Sequence, residues 1–183
     1  LASYKAYKFG ILSVFAAGNA GSGENTHNPY AQIPWGMSVG AGDTNGNLVN
    51  FSSRGLEYET GDFTMPDGTD WTYNNEVTIV APGRYVISTR SSTNMVANGN
   101  LADSVIEPAY LPFYTRISGT SMATPHAAGV VALVMEANPS LNIDEVKQLI
   151  KESATNMPGY EAWEVGAGYI NARAAVAAAK GFD

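Results

Sequence analysis

Ser121 stands inside Gly119-Thr120-Ser121-Met122-Ala123-Thr124-Pro125-His126, where small residues permit a tight turn, and the apolar run Ala127 to Met135 follows at once. That run is long enough for about three helical turns. Ser121 therefore falls at or near a helix N-terminus, where unpaired backbone N–H groups and the positive end of the helix dipole point outward. A hydroxyl in that place can attack a carbonyl while a neighbouring N–H steadies the oxyanion. The same pattern also suits a Thr120 or Ser121 that merely caps a core helix. Asn19 is the second candidate. It follows Gly18 at the end of the apolar run Ile11 to Ala17, and its side-chain NH2 can donate a hydrogen bond into a cleft. A turn asparagine in an unusual backbone conformation fits those residues equally well.

A serine nucleophile needs a base within hydrogen-bond reach and a third group to orient it. The chain has two histidines, His27 and His126. On a helix, His126 lies about 140° round the axis from Ser121 and about 7.5 Å along it, the wrong place to take its proton. His27 belongs to the polar loop Gly21 to Gln32, where a histidine is expected to be solvated. Asp43-Thr44-Asn45-Gly46 follows the strand Met37 to Ala41 and reads as a turn. Asp67-Gly68-Thr69-Asp70 offers oxygen ligands without the spacing of a calcium loop, and reads as surface insertion. The chain thus supplies a nucleophile and a donor but no base.

The elements that must position these groups follow an α/β rhythm. Leu1 to Phe9 reads as the tail of an amphipathic helix stopped by Gly10. Ile11 to Ala17 reads as a buried parallel strand, with Asn19 at its C-terminal end, where such folds place functional groups. Met37 to Ala41 and Val77 to Val80 are further strands, and Tyr85 to Thr89 continues after Pro82-Gly83. Leu56 to Asn75 is a polar surface insertion, and Ser91 to Pro112 an irregular connection. Phe113 to Ile117 leads into the serine stretch, whose helix is apolar enough to be buried on most sides. Asn142 to Glu145 is a capping-box start, with Ile143, Val146, Leu149 and Ile150 on one face. Tyr160 to Tyr169 is a loop or hairpin, and Asn171 caps an alanine-rich helix ended by Gly181.

Composition bounds the alternatives. At 183 residues and 45% hydrophobic content, the chain suits one globular domain. A formal charge of −7 argues against a nucleic-acid partner. Without cysteine there is no disulfide framework or thiol nucleophile. No apolar run reaches the roughly 18 residues that span a membrane. Leu1 does not read as a natural start, and something is expected to precede it.

Residue for residue, the stretch Gly119 to His126 resembles the serine-nucleophile motif of the subtilisin-like proteases, or subtilases. The resemblance continues through Ala17-Gly18-Asn19, Val39-Gly40-Ala41, Phe51-Ser52-Ser53-Arg54-Gly55, Ala81-Pro82-Gly83 and Gly166-Ala167-Gly168-Tyr169-Ile170-Asn171, in the family's order. It implies a three-layer α/β fold with a mostly parallel sheet. Residues 1–183 would be the C-terminal part of one catalytic domain, with insertions near 56–76 and 91–114. By the same resemblance Ser121 is the nucleophile and Asn19 the side-chain donor of the oxyanion hole. Ala16, Ala17 and Gly18 line one wall of the main specificity pocket, and Gly119 and Thr120 adjoin the substrate. The nucleophile elbow of α/β-hydrolases is excluded, since Ala123 stands where it needs glycine.

In subtilases the catalytic Asp and His come from the N-terminal half. The resemblance therefore implies a serine endopeptidase acting on polypeptides, with a complementary N-terminal segment supplying both, and a chain inactive on its own. The alternative is a catalytically silent module that binds peptides or partners through a half-cleft. Catalysis would need no cofactor. Structural calcium is compatible with the family, its ligands unassigned. A weak cation site in many subtilases uses two acidic positions before Ala-Pro-Gly, and here Glu76 holds one while Thr78 replaces the other. The resemblance also implies secretion.

Overall fold

The computed structural model describes residues 1–93 and 101–181. In chain order its elements are α1 (Ala2–Lys8), β1 (Ser13–Ala16), β2 (Gly36–Gly42), β3 (Thr60–Thr64), β4 (Asp70–Asn74), β5 (Ile79–Pro82), β6 (Val86–Thr89) and β7 (Tyr114–Ile117). The helices α2 (Thr120–Ala137), α3 (Ile143–Glu152), α4 (Ala162–Val165) and α5 (Ala172–Ala179) complete it. Of the irregular connection expected at Ser91 to Pro112, residues 94–100 lie outside the described residues, and Leu101–Val105 form a short 3-10 turn.

The strands β1, β2 and β5 form a parallel sheet in the order β1-β2-β5, with Val14 opposite Met37 and Val39 opposite Ile79. Every residue of β2 is buried, as the central strand of a covered parallel sheet must be. Helix α2 lies across this sheet and buries Ala123, Ala127, Val130, Val131 and Val134 against Met37, Val39 and Ile79. Val146 and Ile150 of α3 and Ala175 and Ala179 of α5 close the same core. The expected capping box forms. Asn142 Oδ1 accepts from the Asp144 and Glu145 N–H groups, and Glu145 accepts from the Asn142 N–H.

Three expectations change. The strand β1 is half-buried rather than buried, because it is an edge strand with β2 as its one partner among the described residues. Helix α2 is covered on one face only. Pro125, Ala128, Gly129, Ala132, Leu133 and Met135 are exposed, although the sequence is apolar all round. The insertion at 56–76 contains a regular antiparallel hairpin, β3 with β4, whose residues alternate between exposed and half-buried. It is pinned to α1 by Tyr4, Trp35 and Trp71, with Tyr4–Trp35 centroids 5.0 Å apart and Trp35–Trp71 5.5 Å. At its tip Asp67 accepts from the Tyr4 hydroxyl at 2.8 Å.

Candidate active site

The turn at Gly18 takes its shape from its neighbours. Its φ of +113° is reserved for glycine, and a Cβ there would lie 2.7 Å from Ser53 Oγ. Ser53 fills that space and bonds on both sides of Asn19. Its N–H donates to Gly18 O at 2.9 Å, and its Oγ accepts from the Ala20 N–H at 3.0 Å. Ala16 and Gly18 are half-buried and Ala17 is fully buried. The Asn28 N–H holds the Ala17 carbonyl at 2.7 Å. Asn19 emerges exposed at the C-terminal end of the edge strand.

The start of α2 is positioned from the other side. Gly119 N–H donates to Gly83 O at 2.8 Å. A Cβ on Gly83 would lie 2.6 Å from Ala41 Cβ and 2.8 Å from Gly119 O, so only glycine lets β5 approach the helix start this closely. The antiparallel ribbon of β6 and β7 delivers Ser118, whose Oγ accepts from the Tyr85 N–H at 2.8 Å.

Thr120 joins the two halves. Its N–H and its hydroxyl both donate to Asn19 Oδ1, at 2.9 and 3.0 Å, while its Oγ1 accepts from the Gly18 N–H at 3.3 Å. Thr120 is completely buried and Gly119 is buried as well. The structure therefore sets Thr120 as a buried clamp between Asn19 and Gly18. With Oδ1 occupied, Asn19 Nδ2 is left to donate outward. The position of a Cβ on Gly119 is 3.7 Å from Asn19 Nδ2 and 3.7 Å from Ser121 N, so the two donors flank one small space. The Ser121 N–H meets no protein acceptor among the described residues, and the Ser121 side chain is exposed beside it.

Neither histidine serves Ser121. His126 is exposed and its Nδ1 is 2.8 Å from Met122 O, one turn back on the same helix. His27, expected in solvent, is 4% exposed. Its Nε2 is 2.5 Å from Ser38 Oγ and its Nδ1 3.2 Å from Asn75 Oδ1. Asn75 Nδ2 donates to Glu59 and Asn25, which makes its Oδ1 the acceptor. That assigns the His27 proton to Nδ1 and leaves Nε2 to accept from the Ser38 hydroxyl. Burial pushes the His27 pKa below its ordinary value. Asp43 forms the expected turn, its Oδ1 accepting from the Asn45 and Asn47 N–H groups at 2.9 and 3.0 Å.

The sequence alone singled out neither the Thr120 clamp nor the braces at Ser53, Gly83 and Ser118. Phe51-Ser52-Ser53-Arg54-Gly55 and Ala81-Pro82-Gly83 were visible as family motifs without a role attached. Their role is to shape the turns that carry Asn19 and Gly119.

A helix N-terminal serine beside an asparagine at the end of a parallel strand, in a three-layer α/β arrangement, defines the subtilisin-like class. The profile of the subtilase family matches residues 1–169, and the chain belongs to that family. Subtilisin DY from Bacillus licheniformis is 34% identical over 173 residues, covering 93% of this chain and 48% of that protein. Alkaline elastase YaB from Bacillus sp. (strain YaB) is 37% identical over 166 residues, covering 91% of this chain and 33% of that protein. The solved structure of the self-cleaved protease domain of PatA matches with a TM-score of 0.69 at 26% identity, covering 100% of this chain and 55% of that one. The chain thus spans about half or less of the length of the relatives it matches.

Proposed function

We propose that this chain is the nucleophile-bearing part of a serine endopeptidase that hydrolyses polypeptides. Ser121 Oγ attacks the scissile carbonyl, and Asn19 Nδ2 and the Ser121 N–H hold the tetrahedral oxyanion. The observation that carries this reading is the shared space at Gly119, flanked by both donors at 3.7 Å and adjoining an exposed Ser121. Ala16, Ala17 and Gly18, where β1 ends and leads to Asn19, form one wall of the pocket for the residue preceding the scissile bond.

The general base and its orienting acid come from a complementary N-terminal segment. Two features support this. Both histidines are committed elsewhere, His126 to Met122 O and His27 to Ser38 and Asn75. Among the described residues the outer edge of β1 is also open and one apolar face of α2 is uncovered, surfaces that the strands and helices of a completing segment would cover. The chain alone is then inactive. No cofactor enters the chemistry, and structural calcium would serve stability alone. Family membership supports secretion, and among the described residues no helix is long and apolar enough to cross a membrane.

The test is assembly. The chain is mixed with a segment bearing the triad histidine and aspartate, and hydrolysis of a peptide substrate is followed. Activity should appear in the mixture, be absent from either part, and vanish with Ser121→Ala. Hydrolysis by the chain alone would refute the division of the triad.

A further inference from the structure

We propose that the Lys147 ammonium is a built-in cation. It ties α3 to the start of β2 and the approach to β5, where relatives of this fold can place a metal ion, and makes that junction independent of bound cations.

The argument starts from a small polar cavity of about 230 Å3. Ile33, Pro34, Glu76, Thr78, Lys147 and Lys151 contribute to its lining. Lys147 reaches in from α3 and its Nζ donates to Pro34 O at 2.8 Å. Pro34 belongs to the segment that enters β2, and Glu76 and Thr78 lead into β5. One charged group thus faces three parts of the chain that are distant in sequence. Among the described residues the ammonium forms no ion pair, and its charge is directed at carbonyl oxygen and at the nearby field of Glu76. Burial lowers the Lys147 pKa to about 8, with Lys151 adding to that and Asp144 and Glu76 opposing it.

A metal ion does not fit these residues. A hard cation wants several anionic or carbonyl oxygens converging on one point. Here Glu76 is the one carboxylate on the cavity, and Thr78 stands where a second acid would be needed. Thr78 Oγ1 is also engaged, accepting from the Ser38 N–H at 3.0 Å. Among the described residues no group of three or more acidic or histidine side chains gathers anywhere to hold a metal. An incoming cation would meet the Lys147 ammonium already on the Pro34 carbonyl and a second lysine beside it. A tethered ammonium satisfies the carbonyl without the entropy of binding an ion from solution.

Thermal unfolding of the full protein tests this, and its readout is stability, so it stands apart from the catalytic reading. In the unsubstituted protein the midpoint should not move when potassium is exchanged for choline at constant ionic strength. Lys147→Ala should lower it by about 5 °C. That loss should be recovered by ethylammonium or potassium ions and not by choline. Lys147→Arg, which keeps a cation within reach of Pro34 O, should be more stable than Lys147→Met, which keeps the stem without the charge. A Met variant as stable as the Arg variant would overturn the proposal even if the Ala variant fails to fold. So would a Lys147→Ala loss that ethylammonium and choline restore equally, or not at all.

Discussion

Asn19 Oδ1 accepts two hydrogen bonds from one residue 101 positions away, the Thr120 N–H at 2.9 Å and the Thr120 hydroxyl at 3.0 Å. The pair does two things at once. It caps the start of α2, which has no side-chain cap from its own N-cap residue Gly119. It also fixes which way the Asn19 amide points, leaving Nδ2 to the cleft.

Asn19→Asp separates these two roles. A carboxylate still accepts both bonds from Thr120 but has no hydrogen to give an oxyanion. In the assembled enzyme kcat should fall about 10²–10³-fold. Denaturant unfolding should stay within about 1 kcal/mol of the unsubstituted protein. Asn19→Ala should lose both activity and the cap. An Asp variant with normal turnover would mean that Nδ2 does not serve the reaction.

Gly119→Ala tests the space between the donors. The backbone there is extended, with φ 164°, so alanine adopts it without strain. The new methyl would stand 3.7 Å from Asn19 Nδ2 and from Ser121 N, with Met122 Sδ at 3.4 Å. Stability should hardly change while the carbonyl is displaced, and a misplacement on the order of 1 Å costs about 10²-fold in rate. Steady-state kinetics on the assembled enzyme would show the fall in kcat, and unchanged kinetics would place the oxyanion elsewhere.

His27 should make the fold sensitive to mild acid. Its pKa is lowered in the folded state by burial, from an ordinary value of 6.5. The unfolded chain therefore takes up the proton first as pH falls, and folding stability declines below about pH 6.5 and is fully present above it. The groups facing the ring are Ser38 and Asn75, with Glu59 and Asn25 behind Asn75. Between about pH 5 and 6.5, above the titration of ordinary carboxylates, the slope of stability against pH should be shallower in His27→Gln. An equal slope in both proteins would show that His27 does not couple protonation to folding.

Much of this arrangement was legible before the structure. Ser121, Asn19 and the glycines beside them are carried by local strings whose meaning depends on a turn and a helix start, and those are short-range features. The capping box at Asn142 and Glu145 and the stop at Gly181 are local in the same sense. His27 was misread because its burial depends on Ser38 and Asn75, partners 11 and 48 positions away. The hairpin at Thr60 to Asn74 was hidden because its strands are short: polar residues line the exposed face, and the half-buried face offers two residues per strand, Gly61 and Phe63 on β3 and Trp71 and Tyr73 on β4, too few for the alternation to stand out. Helix α2 shows a different limit. Its composition says how much apolar surface it offers, while what covers that surface depends on the rest of the fold, and here β2, β5 and α5 take one face and leave Leu133 and Met135 exposed. The Thr120 bonds to Asn19 were not legible, because the two residues lie 101 positions apart.

The most direct measurement is labelling by a fluorophosphonate, which reacts with an activated serine, read by mass spectrometry of the modified peptide. The account predicts negligible labelling of the chain alone. Stoichiometric labelling at Ser121 should appear once a segment carrying the triad histidine and aspartate is added. Rapid labelling of Ser121 in the isolated chain, or labelling of the assembled enzyme at any other residue, would contradict it.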